Sequence, residues 1–229
     1  MIKGVIFDMY ETLVTHYSGY PVYFSEAMAR DSYVDADAFK AIWQGSKKAR
    51  SIGRLSFEKV ISEILISNNK FSHDVANKIM YKRKMFNEFT CKNVNKSVLH
   101  MLETIKSKDI KLGLISNCFS DEVDCIECSP VYSFFDDVRL SYLERVCKPE
   151  KDIFMRCLGS LGLEANECMY VSDGDCKELE AASVIGLRTI QATWFCKNNI
   201  LCEDYGNRFI QVNDPMKIVF YVDQWKGTV

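Results

Sequence analysis

The 229-residue chain has few of the residues that mark repetitive or disordered proteins. It contains only 4 prolines and 11 glycines, and no internal repeat or low-complexity tract is visible, which excludes collagen-like and low-complexity classes. An excess of one charge is also missing, because 29 basic and 31 acidic side chains give a formal net charge of −2. We therefore expect neither a basic nucleic-acid groove nor an acidic tail.

Long apolar runs are missing as well. No stretch approaches the roughly 18 apolar residues of a membrane span, and the first eight residues do not resemble a secretory signal. We therefore expect a cytoplasmic protein without a membrane partner, whose ten cysteines stay reduced and mostly pack as small apolar side chains. Cys125 and Cys128 form a lone CxxC pair, without the second pair that a four-ligand zinc site requires.

Apolar, β-branched runs alternate with helical patterns along most of the chain. The strand-like runs occupy residues 3–8, 111–116, 136–140, 167–172, 188–193 and 209–212. The helical patterns between them occupy residues 94–108, 119–129, 151–161 and 177–185. This alternation predicts an α/β fold with a Rossmann-like, doubly wound parallel sheet and helices on both faces.

The interval between residues 17 and 91 interrupts the alternation. It contains four helical patterns and no convincing strand, and Ser56 and Ser72 stand where helix N-caps are expected. About seventy residues is far more than an ordinary connection of roughly 2–6 residues between a strand and a helix. We therefore predict an inserted helical domain, the cap, over residues 17–91, and an α/β core over residues 1–16 and 92–229.

Polar side chains follow several of the strand-like runs. Asp8 follows the first run, Ser116 and Asn117 end the second, Lys148 lies in a later loop, and Asp173 follows the fourth run. Parallel sheets bind ligands beyond the carboxyl ends of their strands, so these side chains should converge. An isolated acid at a strand end more often caps a helix, but four such elements in order fit an anionic substrate with a divalent cation. Asp8 would be a nucleophile, Lys148 a charge clamp and Asp173 a magnesium ligand.

At these positions the sequence resembles the haloacid dehalogenase-like (HAD) hydrolase superfamily. Segments 7–13, 114–117, 148–154 and 171–186 look like its four motifs, with Asp8 in the nucleophile position. The predicted insertion lies where subgroup I members carry a helical C1-type cap. The resemblance covers nearly the whole chain and implies a hydrolase, which we expect to be a monomer or homodimer. Substrate choice in this superfamily depends largely on the cap.

Position 10 departs from the phosphatase pattern of this superfamily. Most of its phosphatases carry a second Asp two residues after the nucleophile, which protonates the leaving oxygen, whereas this chain has Tyr10. A phenol, with a pKa of about 10, is a poor proton shuttle near neutral pH. The 2-haloacid dehalogenases of the superfamily carry Tyr there, because a halide leaves without a proton. Tyr10 alone therefore indicates a dehalogenase.

The fourth motif favours a phosphatase instead. The dehalogenases use no metal and lack paired acids there, whereas Asp173 and Glu178 match the phosphatase spacing. Carboxylates crowded beside a nucleophilic Asp repel one another unless a cation is bound. The resemblance implies Mg²⁺ held by Asp8, the Tyr10 backbone carbonyl, Asp173 and Glu178, and a phosphate bound by Ser116, Asn117 and Lys148.

We therefore favour a magnesium-dependent phosphatase that hydrolyses a small phosphorylated metabolite through an aspartyl-phosphate on Asp8. A 2-haloacid dehalogenase and a catalytically weak protein that binds a phosphorylated ligand stay open as alternatives. Arg50 and Arg54 are candidate substrate ligands in the cap, although a solvated helix end is the simpler explanation for both. His16 is a candidate residue of the cap hinge, and it is equally compatible with a surface loop.

Overall fold

A six-stranded sheet organises the computed structural model, which describes residues 1–196 and 204–225. Its strands are β1 (Gly4–Phe7), β2 (Lys111–Ser116), β3 (Asp137–Leu140), β4 (Cys168–Ser172), β5 (Arg188–Ala192) and β6 (Ile210–Val212). All neighbouring strands are parallel, in the order β3-β2-β1-β4-β5-β6. The predicted doubly wound α/β fold is therefore confirmed. The chain builds outward in opposite directions from a switch point between β1 and β4.

Helices connect these strands and fill the interval after β1. They are α1 (Ser25–Ser32), α2 (Ala36–Gly45), α3 (Lys47–Ser51), α4 (Phe57–Ser67), α5 (His73–Lys92), α6 (Lys96–Lys106), α7 (Val123–Glu127), α8 (Ser141–Glu144), α9 (Lys151–Leu161), α10 (Glu178–Ile185) and α11 (Met216–Gln224). The sequence patterns did not predict α11. Among the described residues, no helix combines the length and apolar character needed to cross a bilayer.

The central strands are covered on both faces. Successive side chains of a strand point to opposite sides of a sheet. Val5 and Phe7 accordingly join one buried cluster that contains residues of α6 and α11. Ile6 joins a second buried cluster that contains residues of α9 and α10. This burial explains why β1 is a continuous apolar run rather than an alternating one.

Helices α1 to α5 occupy the interval between β1 and α6, and the described chain has no strand there. Apolar side chains from these helices form a third buried cluster, separate from the two that flank the sheet. Gly45 ends α2 and Ser46 separates it from α3, and both are weaker helix formers than alanine. The domain boundaries themselves, 17–91 for the cap and 1–16 with 92–229 for the core, stay a prediction.

A buried arginine connects helix α5 to the loop after β2. The Arg83 guanidinium is 2.7 Å from a carboxylate oxygen of Asp121 and 2.7 Å from one of Glu122. It also donates to the Tyr23 carbonyl at 3.2 Å. The arginine and both carboxylates are almost completely enclosed. Since buried charges are costly without partners, these groups depend on one another.

The cysteines are mostly buried and chemically quiet. Eight of them are free thiols in the described residues, and burial raises the pKa of Cys118 and of Cys168 to about 12. These two thiols therefore pack as protonated apolar side chains, as expected. Cys196 differs because it is disulfide-bonded, so the expectation of reduced cysteines is wrong at this position. Cys202 lies outside the described residues.

Substitution of Arg83 by methionine is expected to lower the free energy of unfolding at pH 8 by about 3–5 kcal/mol, because it leaves two buried carboxylates without their cation. Urea denaturation measures the change. Lys84→Met is the matched control on the same helix, since Lys84 is exposed and its loss should cost less than about 0.5 kcal/mol. A loss below about 1 kcal/mol for Arg83→Met would contradict the interpretation of a mutually dependent buried cluster.

Candidate active site

The candidate site lies where the strand order reverses. Phe7, the last residue of β1, is paired with Val171 of β4, and the Asp8 amide donates to the Val171 carbonyl at 3.0 Å. Asp8 and Asp173 follow these two strands and are only 7% and 5% exposed. The switch point of a doubly wound sheet is where such folds bind ligands. The strand pairing therefore brings together two acids that are 165 positions apart in the sequence.

One lysine lies at the centre of the acidic groups. The Lys148 ammonium pairs with Asp8, and it lies 2.5 Å from a carboxylate oxygen of Glu178. It also donates to the Tyr170 hydroxyl at 3.2 Å, and that hydroxyl donates to Glu178 at 2.9 Å. Our sequence reasoning missed Tyr170. The sequence signal for it is a tyrosine in an otherwise apolar strand, because a buried phenol hydroxyl requires a hydrogen-bond partner.

Two further side chains fix the positions of these groups. The Thr12 hydroxyl donates to Asp8 at 3.4 Å and accepts from the Asp173 amide at 3.1 Å, so it links the ends of β1 and β4. The Asn117 side chain holds the loop of Lys148 from both sides, donating to its carbonyl at 3.0 Å and accepting from its amide at 2.8 Å. Ser116 is fully buried, and its hydroxyl has no partner among the described residues.

The electrostatics of the site disfavour ionisation of Asp8 and Asp173. Burial raises the pKa of Asp8 to about 7, and Lys148 limits the rise. Burial, followed by the charges of Asp8 and Glu178, raises the pKa of Asp173 to about 9. Burial alone would lower the pKa of the Lys148 ammonium, but Asp8 and Glu178 outweigh it and raise that pKa. One lysine therefore does not compensate three carboxylates.

The same three carboxylates form a candidate cation site. Asp8, Asp173 and Glu178 each offer one oxygen, and these oxygens lie within 4.8 Å of one another. The Oε1 atom of Glu178 is buried and has no hydrogen-bond partner among the described residues. Carboxylate oxygens are the ligands that Mg²⁺ prefers in proteins. The donor set and the unpartnered oxygen therefore fit a magnesium ion.

A cavity of about 1080 Å³ opens above the acidic groups. Its walls include Asn117 and Phe119 from the loop after β2, and Gln44, Lys47 and Lys48 from α2 and α3. The Lys48 ammonium donates to the Cys147 sulfur at 3.1 Å and pairs with Glu150. The cavity thus lies between the sheet edge and the helices inserted after β1. This volume leaves room for a ligand larger than a phosphate ion.

The structure does not bring Arg50 and Arg54 into this cavity wall. Arg50 is buried, with its guanidinium carbon 3.5 Å from the centre of the Trp43 ring and 4.2 Å from that of Phe119. Its nitrogens donate to the Trp43 carbonyl at 2.8 Å and to the Ser46 hydroxyl at 3.1 Å. Arg54 is exposed to solvent. Stacking on aromatic rings explains Arg50, and the cations on this wall are lysines instead.

Tyr10 also lines the cavity, but its hydroxyl contacts Cys91, whose sulfur is 4.0 Å away. Burial raises the pKa of the Tyr10 phenol well above its usual value, so the phenol does not ionise at neutral pH. Its ring stacks on His16, with the ring centres 4.6 Å apart and the planes at 17°. The neighbouring Glu11 accepts hydrogen bonds from His16 and Thr15. Burial opposes the effect, but these bonds lower the pKa of Glu11.

The chain is similar in sequence to a phosphatase and similar in fold to a dehalogenase. The chain is 27% identical to a glyceraldehyde 3-phosphate phosphatase of Methanocaldococcus jannaschii over 203 residues, which cover 83% of this chain and 85% of that protein. It is similar in fold to a 2-haloacid dehalogenase from Pseudomonas syringae pv. Tomato DC3000, with a TM-score of 0.70, 18% identity, and coverage of 98% of this chain and 100% of that one.

A second solved structure is a HAD family enzyme from Bacteroides thetaiotaomicron in complex with magnesium and inorganic phosphate. Its TM-score is 0.61 at 17% identity, and the match covers 91% of this chain and all of that one. The family model of haloacid dehalogenase-like hydrolases matches residues 2–186, which is most of the chain. The four sequence motifs, the doubly wound sheet and this match agree, and the chain therefore belongs to the haloacid dehalogenase-like hydrolase family.

Proposed function

We propose that the protein is a magnesium-dependent phosphatase that acts on a small phosphorylated metabolite. The observation that carries this proposal is the group of three buried carboxylates around one lysine, with their oxygens within 4.8 Å of one another. A dehalogenase that needs no metal has no use for this charge. The similarity to a glyceraldehyde 3-phosphate phosphatase supports the same choice, and the Bacteroides structure, which contains magnesium and phosphate, has the same fold.

Asp8, Asp173 and Glu178 would hold the magnesium ion, and the Tyr10 backbone carbonyl is the further ligand that the family resemblance implies. The ion, when bound, supplies positive charge that offsets the carboxylates and the phosphate. The raised pKa values of Asp8 and Asp173 fit a site designed for such a charge. Glu178 contributes the buried, unpartnered oxygen noted above.

Asp8 acts as the nucleophile in this proposal. Its carboxylate attacks the phosphorus in line, an Asp8 oxygen–phosphorus bond forms, and the bond from phosphorus to the ester oxygen breaks. Water then hydrolyses the aspartyl-phosphate, which releases inorganic phosphate and restores the carboxylate. The Lys148 ammonium favours the ionised Asp8 before attack, and it stabilises charge on the phosphoryl oxygens together with donors from Ser116 and Asn117.

The leaving oxygen receives no proton from position 10. The Tyr10 phenol contacts Cys91, and its pKa is raised, so it does not replace the carboxylic acid that most family phosphatases carry there. A leaving group with a low pKa departs without protonation, whereas an alkoxide does not. We therefore expect slow turnover of alkyl phosphates and faster turnover of esters whose leaving group is already stable as an anion.

Tyr10 is the observation that favours a second candidate, hydrolysis of a 2-haloacid. In that reaction Asp8 attacks the halogenated carbon and a halide leaves without a proton. The other two acids, Asp173 and Glu178, have no role in this alternative. The two candidates therefore differ in their requirement for magnesium and in their product.

Hydrolysis of 4-nitrophenyl phosphate should depend on magnesium and on Asp8. We expect Asp8→Asn, which keeps the size of the side chain but removes the nucleophile, to lower kcat by about a thousandfold or more. Chelator should abolish the wild-type activity. Halide release from 2-chloropropionate is measured in parallel. Chelator-resistant halide release without phosphatase activity would establish the dehalogenase, and retained turnover by Asp8→Asn would remove Asp8 from the nucleophile role.

A series of aryl and alkyl phosphates should reveal the absence of a general acid at position 10. For the wild-type protein we expect kcat to fall steeply as the pKa of the leaving group rises. Tyr10→Asp should flatten this dependence and raise kcat on the poorest leaving group by about a hundredfold, since a positioned general acid contributes roughly 10²–10⁴-fold. Tyr10→Asn is the matched control, because it is similar in size but cannot donate the proton. Equal profiles for the Asp and Asn variants would contradict this explanation.

In chelator, Asp173→Asn should stabilise the protein at pH 8. A carboxyl whose pKa is raised to about 9 by burial and neighbouring acids favours folding while it is protonated, and this contribution is lost as the pH rises from about 4 towards that value. Asparagine keeps the shape and does not ionise. We expect a gain of about 1–3 kcal/mol at pH 8 and little change at pH 4, measured by urea unfolding.

Magnesium should reverse this order at pH 8, because it stabilises the folded wild-type protein by mass action and the variant lacks one ligand. A wild-type melting temperature that is independent of magnesium, together with a destabilised variant in chelator, would contradict the cation site.

A further inference from the structure

His16 is the feature of the cavity that the proposed reaction does not use. It lies in the chain segment after β1, in the same cavity wall as Asp8 and Tyr10. Its ring stacks on Tyr10 and, at a centre-to-centre distance of 5.6 Å and an angle of 20°, on Phe86 of helix α5. The Phe24 ring meets it nearly at right angles, 5.4 Å away. Aromatic contacts therefore hold the imidazole in one orientation.

Glu11 determines which ring nitrogen carries the proton. One Glu11 oxygen accepts from the His16 backbone amide at 3.0 Å and lies 3.0 Å from the His16 Nδ1 atom. The other accepts from the Thr15 hydroxyl at 2.6 Å. An ionised carboxylate only accepts hydrogen bonds, so Nδ1 is the donor to Glu11 and carries the hydrogen. In the neutral imidazole Nε2 is then a hydrogen-bond acceptor.

The Nε2 atom of His16 is the ring nitrogen that Glu11 does not contact. It has no hydrogen-bond partner in the part of the chain that the structure describes, and it is not completely buried. The side chain is 16% exposed, and the cavity is the space that it lines. The aromatic contacts and the Glu11 bond leave this edge of the ring for a ligand.

We propose that His16, oriented by Glu11, accepts a hydrogen bond from a hydroxyl group on the substrate, and that the substrate class is therefore phosphate esters of hydroxylated carbon chains. This assignment rests on the proposed phosphatase function, since Asp8 in the same cavity receives the phosphate. A hydroxyl group on the carbon chain of the substrate would supply the donor that Nε2 lacks. His16 is thus a specificity-determining residue and takes no part in bond making.

Binding of three matched esters to the Asp8→Asn protein tests the assignment. These are 2-hydroxypropyl phosphate, propyl phosphate and 2-methoxypropyl phosphate, measured by calorimetry with magnesium present. One neutral hydrogen bond favours the hydroxylated ester over propyl phosphate by about five- to tenfold in Kd. The methoxy ester accepts but cannot donate, so it should bind no better than propyl phosphate.

His16→Phe in the same background keeps the stacking with Tyr10 and removes the acceptor. We expect the preference for the hydroxylated ester to fall to about one, with the Kd for propyl phosphate changed less than about twofold. His100→Phe, at an exposed position of helix α6, is the matched control and should keep the preference. The backbone of each variant is checked by circular dichroism.

Equal affinity for the hydroxylated and propyl esters, a preference that survives in His16→Phe, or a preference for the methoxy ester would overturn the assignment. Failure to bind any of the three esters would overturn it as well. These outcomes are separate from the turnover of 4-nitrophenyl phosphate, which lacks the hydroxyl group. An active phosphatase without the hydroxyl preference therefore refutes the role of His16 and leaves the proposed function intact.

Discussion

The burial of three carboxylates around one ammonium is the constraint on which the rest of the site depends. Lys148 pairs with Asp8 and Glu178, but it leaves negative charge uncompensated in an enclosed space. Isolated charges of this kind are among the costliest groups that a protein can bury. The fold accepts this cost at the switch point between β1 and β4, where pairing of the two strands holds Asp8 and Asp173 together. An enclosed site with excess carboxylates favours the binding of a cation, whereas an apolar core contains no such unbalanced charge.

The sheet and the inserted helices form different parts of the site around this charge. Strand ends and their hydrogen bonds, such as those of Thr12 and Asn117, fix the reacting groups within a rigid frame. The helices between β1 and α6 have their own apolar core and form the other wall of the cavity. The Arg83 cluster connects the two parts through a loop at the carboxyl end of β2. In the proposed function, chemistry and substrate choice therefore belong to different parts of the fold.

The sequence was most informative where chemistry and periodicity coincide. Asp8 and Asp173 each follow an apolar strand, so parallel pairing alone places them at one edge. The sequence was least informative where tertiary packing decides. Arg50 and Lys47 belong to the same short helix and carry the same charge. The guanidinium of Arg50 stacks on Trp43 and on Phe119, which is far away in the sequence, while Lys47 lines the cavity. Tyr170 was also missed, because a tyrosine in a buried strand is indistinguishable from an apolar core residue until the partners of its hydroxyl are known.

Tyr10 links the chemistry of the site to its specificity. A carboxylic acid at this position would place another negative charge beside the three carboxylates, whereas a phenol with a raised pKa adds none. The same ring gives His16 a surface to stack on, so the loss of a general acid coincides with a fixed imidazole in the cavity wall. In the proposed reaction, the site would lose catalytic power on poor leaving groups and gain a rigid polar contact with the part of the substrate that does not react. Binding energy from such a contact favours the right substrate in both the ground state and the transition state, and it therefore selects without accelerating the chemical step.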